Sequence, residues 1–529
     1  MKKIAILLVT VSLFIFIEGA FSQTRFQNVI GGPGYYTAGY GIIKTIDNGY
    51  ALTGELNLSG ASKDAYIVKL DSSNLIQWTR TIGDSLYDIG LGIVQTSDGG
   101  FAIAGRATTT NALGLGLTDG YIVKLNSVGV VQWERAIGGY EMDEFRSIVQ
   151  TPDGGLVVAG YSSTFCFGIG NSDLYVVKLD ISGNIQWTRN VGGAGSDFGS
   201  KIVQTIDGGF VIAGSTSSYG QGNSDVYCVK LNSSGVLLWT TTVGGAQWDS
   251  GSSIIQTADG GFIISGQTTS FGSGMEDLYV VKIDGNGNLS WTRTVGGTGT
   301  DQALDIIQTS TGDYVIVGLT NSYGAGNYDF YAVKLNNNGN LLWTRTIGGA
   351  GFEKAYGLTV DTDGGYVITG SSSSFNWGGG AMYIVKLDVN GNTCANQGTG
   401  GVVGSGGVSS TGGATGIGGN TATGGVSGTG GIALNLCFTT GINEINNLSE
   451  DLNIFPNPSS GLFKVNTSKL PYSKYSIQIR NILGVRIFSK EDFGPEDEIT
   501  IDLSSQPKGF YFIKVYDSEN QFIQKLLVE

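Results

Sequence analysis

Apolar residues in this chain come in short runs, and the runs return in the same order. In one copy, Lys201-Ile-Val-Gln-Thr205, Phe210-Val-Ile-Ala-Gly214, Val226-Tyr-Cys-Val-Lys-Leu231 and Val236-Leu-Leu-Trp-Thr-Thr-Thr-Val243 follow one another. They are rich in β-branched and aromatic side chains, so each predicts a strand. Between them lie Asp207-Gly208-Gly209, a polar stretch from Tyr219 to Asp225, and Asn232-Ser-Ser-Gly235. Such breaks suit tight hairpins, because glycine reaches positive φ without steric cost. Little in the unit has a sustained helical period.

The unit recurs seven times, marked by Lys69, Lys124, Lys178, Lys230, Lys282, Lys334 and Lys386. Four antiparallel strands in each of seven units predict an all-β, seven-bladed β-propeller over residues 23–395. Six copies carry a tryptophan nine residues after the lysine: Trp78, Trp133, Trp187, Trp239, Trp291 and Trp343. The seventh has Ala395 there, so its last strand is missing. Thr24-Arg-Phe-Gln-Asn-Val-Ile30 precedes Gly31-Gly32 as each tryptophan strand precedes its Gly-Gly pair. The N-terminal strand is therefore expected to complete the last blade. Closure would remove two exposed sheet edges.

Four motifs carry a resemblance: the Gly-Gly-x-Gly-x-Asp corner, Asp-Gly-Gly-Phe, Asp-x-Tyr-x-Val-Lys-Leu and Gly-x-x-x-Trp. Together they resemble the seven-bladed propeller repeats of many secreted bacterial proteins, over roughly residues 24–395. The resemblance implies a fold and no single activity.

From 396 to 445 the pattern changes. Gly-Gly pairs begin at 400, 406, 412, 418, 424 and 430. Such a tract buries little apolar surface, so we read it as a flexible linker in preference to a small solenoid. Residues 446–529 return to denser β patterning and predict a small Ig-like β-sandwich. Pro456-Asn457-Pro458, Asn481-Ile-Leu-Gly484, Gly509 before Phe510-Tyr511, and Lys525-Leu-Leu-Val closely resemble the type A C-terminal sorting domain of the type IX secretion system of Bacteroidota. That resemblance implies recognition by the type IX translocon and sorting machinery. It also implies release or attachment at the outer-membrane surface.

Lys2-Lys3, the apolar stretch Ile4 to Ile17 and Ala20-Phe-Ser22 predict a signal peptide over residues 1–22. The mature chain is expected to have no transmembrane segment. Net charge is −14, with 87 glycines and 14% charged residues. An acidic surface argues against nucleic acid as a partner. The partner expected is a polysaccharide or a surface protein, and the propeller is expected to be a monomer. Cys166, Cys228, Cys394 and Cys437 allow three pairings if all are bonded. A Cys394–Cys437 bridge would staple the glycine tract, and Cys228 reads as a small buried residue.

The chain has no histidine. Ser-His-Asp and Cys-His nucleophilic systems are thereby excluded. No catalytic residue and no cofactor is assigned. Asp173, Asp225 and Asp277 stand before the Tyr strand, and Asp197, Asp249 and Asp301 follow the Gly-Gly corner. Their repetition favours turn capping, with Ca2+ coordination between blades as the alternative. Phe165, Tyr219, Phe271, Tyr323 and Phe375 recur on one face and are read as packing in preference to ligand contacts. Trp248 and Trp377 break the repeat and are the better ligand candidates. Three functions follow: a non-catalytic glycan- or protein-binding adhesion module, a polysaccharide hydrolase or lyase, or a structural surface component.

Overall fold

The computed structural model describes residues 25–528, apart from 32–34, 59–61, 84–85, 109–117, 167–171, 376–379, 395–396, 399–401, 405–407, 411–413, 417–419, 423–425, 429–431, 436–452, 457–458, 467–474, 482–485, 494–497 and 517–520. The chain forms two units, Met1–Phe438 and Thr439–Glu529. The signal peptide predicted over 1–22 lies outside the described residues.

The first unit is the propeller, built of seven antiparallel sheets. The fourth blade shows the plan: Asp197–Gln204, Phe210–Thr216, Asp225–Leu231 and Leu237–Gly244 pair in sequence order. The third strand is buried at every position, because neighbouring blades cover both of its faces. That explains its unbroken apolar run. The seventh blade takes its fourth strand, Phe26–Gly31, from the N-terminal end of the propeller. Phe26 lies opposite Lys386 and Ile30 opposite Met382.

Buried Lys230 explains the repeated lysine. Its ammonium donates to Asp207 Oδ1 at 2.8 Å. Asp207 also accepts from Gly209 N at 2.9 Å, so one aspartate holds the hairpin and neutralises the lysine. Lys69–Asp47, Lys124–Asp98, Lys178–Asp153, Lys282–Asp259, Lys334–Asp313 and Lys386–Asp363 repeat this pairing. The repeated tryptophan has a different task. Trp187 lies against Gly235, a turn residue of the next blade at φ 76°, where a Cβ would come within 3.0 Å of the ring. Arg189, two residues on, donates from Nε to the Gly235 carbonyl at 2.8 Å and from Nη2 to the Ser234 carbonyl at 3.1 Å. Its guanidinium also lies over the Trp187 ring. The pair clasps one blade to the next.

The glycine tract departs from the linker expected of it. Gln397–Gly398, Val402–Gly404, Val408–Ser410, Ala414–Gly416, Asn420–Ala422, Val426–Gly428 and Ile432–Asn435 each add a fifth strand to one blade. The order is sixth, fifth, fourth, third, second, first, then seventh blade, so the tract runs backwards around the ring as a belt. Strands in a sheet rotate by roughly 20–25° per neighbour. Over four steps the outer edge turns nearly perpendicular to the inner strand, and a chain pairing there runs around the circumference. Six residues of extended chain, roughly 20 Å, match one blade step. Glycine and small residues suffice, because the attachment is made by backbone groups. Cys394 at the start of the belt is disulfide-bonded, whereas Cys228 is a free thiol and Cys166 donates its thiol to the Ser163 carbonyl at 3.2 Å. Cys437 lies outside the described residues. Cys228 is buried mid-strand, as its neighbours predict.

The second unit is a sandwich of one three-stranded and one four-stranded sheet. A single core joins them, with Phe463, Val465 and Ile501 from the first and Ile479, Ile513 and Leu526 from the second. Tyr511 belongs to this core and donates its hydroxyl to the Pro507 carbonyl at 2.6 Å. Gly509 takes φ 145°, a conformation L side chains rarely adopt. Lys525 pairs by its backbone with Phe512. Pro456 is described, but Asn457, Pro458 and Gly484 lie outside the described residues.

Candidate functional site

The first strands of all seven blades line one cavity of about 650 Å3 along the propeller axis. Each of these strands carries a β-bulge at the same place: Gly39/Gly41, Gly90/Gly92, Phe145/Ser147, Gly199/Lys201, Gly251/Ser253, Ala303/Asp305 and Ala355/Gly357. A bulge leaves one residue unpaired and re-aims its side chain. The bulged residues are Tyr40, Leu91, Arg146, Ser200, Ser252, Leu304 and Tyr356, and all seven line the cavity. The scaffold is seven-fold, but this ring of side chains is not.

Charge concentrates on a few blades. Glu144 accepts from Arg106 Nη1 at 2.8 Å and from Arg146 Nε at 2.7 Å. Asp305 accepts from Ser253 Oγ at 2.7 Å and from the Leu358 amide at 3.0 Å, with Lys201 Nζ at 3.5 Å. Tyr40 and Tyr356 meet edge to face at 4.8 Å, and Lys354 Nζ lies 5.0 Å from the Tyr356 ring centre. Burial raises the pKa of both tyrosines and lowers that of Lys354, with Glu276 opposing the last shift.

A second ring is formed by the residue that precedes Thr37, Asp88, Asp143 and their equivalents. It is Tyr36, Tyr87, Met142, Ser196, Trp248, Thr300 and Phe352 in blade order. The five large apolar members are exposed, from 37% for Tyr36 to 62% for Trp248. Short parallel bridges fix them to the loop of the preceding blade: Lys63 to Tyr87, Thr118 to Met142, Ser224 to Trp248 and Tyr328 to Phe352. Phe352 also packs on Tyr328 at 4.7 Å, beside a smaller cavity of about 440 Å3 lined by Met275, Glu276 and Gln302. Trp248 is therefore not a departure from the repeat. It is the largest member of a ring that a column through the aligned repeats reveals. Trp377 lies outside the described residues.

The other sequence candidates have structural partners. Phe165, Tyr219, Phe271, Tyr323 and Phe375 are partly buried, each against the tyrosine of the neighbouring third strand. Tyr219 and Tyr323 also donate to the Gly192 and Gly296 carbonyls at 3.0 and 3.1 Å. The aspartates are buried at blade corners. Asp197, Asp249 and Asp301 accept from the amides of Gly193, Gly245 and Gly297 at 2.6–2.8 Å. Asp225 accepts from Gln221 N and Asp277 from Gly274 N, at 2.9 and 3.0 Å. Asp173 meets Asp197 across Gly192, where a Cβ would strike both carboxylates. Desolvation raises the pKa of Asp225 and Asp277, and the neighbouring Asp249 and Asp301 add to the rise. Among the described residues no group of three or more potential ligands could hold a metal ion. None of these aspartates lines the channel.

Sequence reasoning missed the channel charges because they occupy repeat positions held in most other blades by uncharged residues of varied kind. Reading those columns for deviations would have found Arg146, Lys201, Asp305 and Lys354.

Comparison with known protein families agrees with this architecture. Residues 453–529 match the secretion system C-terminal sorting domain, and 309–341 match a β-propeller domain of unknown function (DUF5122). The regulatory protein FlaEY of Caulobacter vibrioides is 26% identical over 223 residues, which are 38% of this chain and 22% of that protein's length. The chain thus spans about a fifth of that relative. Among solved structures, a puromycin hydrolase mutant complexed with PGG has 10% identity and TM-score 0.29, covering 66% of this chain and 59% of its own. A GH43_12 protein from a capybara gut metagenome has 10% identity and TM-score 0.26, covering 95% and 92%. The C-terminal unit is a type IX secretion sorting domain, and the protein is a secreted β-propeller cargo with a cell-surface or extracellular destination.

Proposed function

We propose that this protein is a non-catalytic glycan-binding module, exported after removal of residues 1–22, that docks its ligand on the apolar ring at the channel mouth. One observation carries the reading. Five of seven blades place Tyr36, Tyr87, Met142, Trp248 or Phe352 at the same position, and all five are exposed. The aromatics that serve packing, such as Tyr219 and Phe271, are instead drawn into the cores between blades. Flat exposed rings around a concave mouth suit stacking against sugar rings, and the channel's polar groups suit their hydroxyls.

The test is a polysaccharide panel against the mature protein, scoring binding and product release together. Saturable binding without products, weakened by Trp248→Ala and Tyr87→Ala at unchanged melting temperature, is expected. Release of products assigns a hydrolase or lyase instead. Neither binding nor products leaves a structural surface component.

A further inference from the structure

We propose that the channel selects an anionic ligand, and that the glycan bound at the mouth is an acidic saccharide whose carboxylate enters beside Lys354. This rests on the glycan-binding reading above and narrows its ligand class.

The chain as a whole carries a net charge of −14, yet its axial cavity is cationic. Arg106, Arg146, Lys201 and Lys354 line it with only Glu144 and Asp305 as counter-charges. Both carboxylates are committed. Glu144 is shared by the two arginines, and Asp305 is held by Ser253, by the Leu358 amide and loosely by Lys201. Lys354 has no carboxylate within ion-pair distance among the described residues. Its contact is with the face of Tyr356. Glu276 attracts it at longer range, but that carboxylate already accepts from Gln302 at 2.5 Å.

Lys354 also stands where the two cavities meet, since it lines both the axial channel and the smaller cavity beneath Phe352. A sugar stacked on the mouth ring is therefore within reach of this ammonium. An ammonium drawn out of water without a partner raises the free energy of the unliganded protein. An arriving carboxylate restores the missing charge-assisted hydrogen bond. The same blade positions carry Ala38, Ile89, Glu144, Phe198, Ser250 and Gln302 elsewhere in the ring, so the propeller fold does not itself require a lysine there.

The experiment titrates the mature full-length chain with uronate-containing oligosaccharides, their methyl esters and neutral oligosaccharides of equal length. Acidic ligands should bind roughly tenfold or more tightly than their esters. Lys354→Gln should abolish that preference and keep the weaker neutral binding, whereas Lys354→Arg should retain it. Equal affinity for acid and ester would overturn charge selection and leave the glycan reading intact. Binding of no saccharide would overturn both. If Lys354→Gln lowers the melting temperature, the acid-to-ester ratio of the wild type alone decides.

Discussion

Phe26 stands opposite Lys386 in the last blade as Trp343 stands opposite Lys334 in the blade before it. The first strand of the propeller thus occupies the position that sequence order would give to a strand after Lys386. Its partners are more than 350 residues away in the chain: Tyr383 donates its hydroxyl to Gln27 Oε1 at 2.6 Å across |i−j| = 356. Ring closure is a long-range contact, and it joins the first blade to the last.

Deleting residues 23–32 should therefore open the ring. Phe26 and Ile30 are buried in the core shared by the first and seventh blades, and their loss also bares the edge of Ala381–Leu387. Calorimetry should show a melting temperature lowered by several degrees or a broad, split transition. An unchanged single transition would show that closure contributes nothing to stability.

The belt makes a separate prediction. Its strands pair with the fourth strand of every blade, for example Thr242 with Ser410 and Thr294 with Gly404. Removing 397–435 while keeping the sorting domain should expose seven sheet edges, which template association. Light scattering should report oligomers, and amide exchange should accelerate at Thr242 and Thr294. Inserting a single residue after Gly404 should perturb the belt from that point onward, since pairing shifts by one register. A monomer with unaltered exchange would exclude the belt.

The propeller repeats were legible because each blade is specified locally, by alternating apolar positions and by turn residues whose job shows in their chemistry. Asp207-Gly208-Gly209 announces a hairpin, and Lys230 a strand with one buried cation. The belt was not legible for the opposite reason. Its six-residue period is plain, but its strands carry no apolar pattern, and what orders them is the row of unpaired backbone groups on blades far away in the chain. The site was half legible. Trp248 stands out by size, whereas Arg146 and Lys354 look like ordinary surface charges until the bulge at Arg146 and the convergence of the seven first strands place them in the channel.

Stability should depend on acidity in two steps of opposite sign. Burial and a neighbouring carboxylate raise Asp225, Asp277 and Asp329, so the folded state holds these protons more tightly than the unfolded chain. Stability should then rise as pH falls through their raised values, above the ordinary carboxylate range. Lys230 and Thr205 hold Asp207 down at about 2, and Asp47, Asp98, Asp153 and Asp259 also sit at about 2. Their contribution is present above the unfolded value and is lost as pH falls from about 4 towards 2. Melting curves from pH 7 to 2.5 should pass through a mildly acidic maximum. In the triple variant Asp225→Asn, Asp277→Asn and Asp329→Asn the rise should vanish. A monotonic fall in the wild type would refute the raised set.

Export can be separated from binding. Residues 453–529 form the sorting domain, and the boundary between the two units lies at 438/439. Deleting 446–529 should hold the propeller in the periplasm of a host with a type IX system. Fusing that segment and an N-terminal signal to a passive reporter should bring the reporter to the surface. Normal extracellular yield of the truncated chain would remove the sorting role.

The clasp between blades supplies its own internal control. Arg80, Arg135, Arg189, Arg293 and Arg345 each donate to turn carbonyls of the next blade. The fourth blade has Thr241 in that place, and its hydroxyl donates to the Gly287 carbonyl at 2.8 Å. Arg189→Ala leaves the Gly235 and Ser234 carbonyls free to bond water and removes the cation from the Trp187 face. Hydrogen bonds to a charged donor and a partly exposed cation–π contact together predict a loss of about 1–2 kcal/mol in denaturant unfolding. Arg189→Lys should recover little of it, because an ammonium cannot span two carbonyls as a planar fork does. Asn28 stands at the same place in the closing strand, and Thr241→Arg should stabilise one of these two interfaces that lack the arginine, by roughly the amount Arg189→Ala costs. If both substitutions leave unfolding unchanged, the arginines are decorative at these interfaces, and the clasp reduces to the tryptophan on its glycine beside the apolar core that neighbouring blades share.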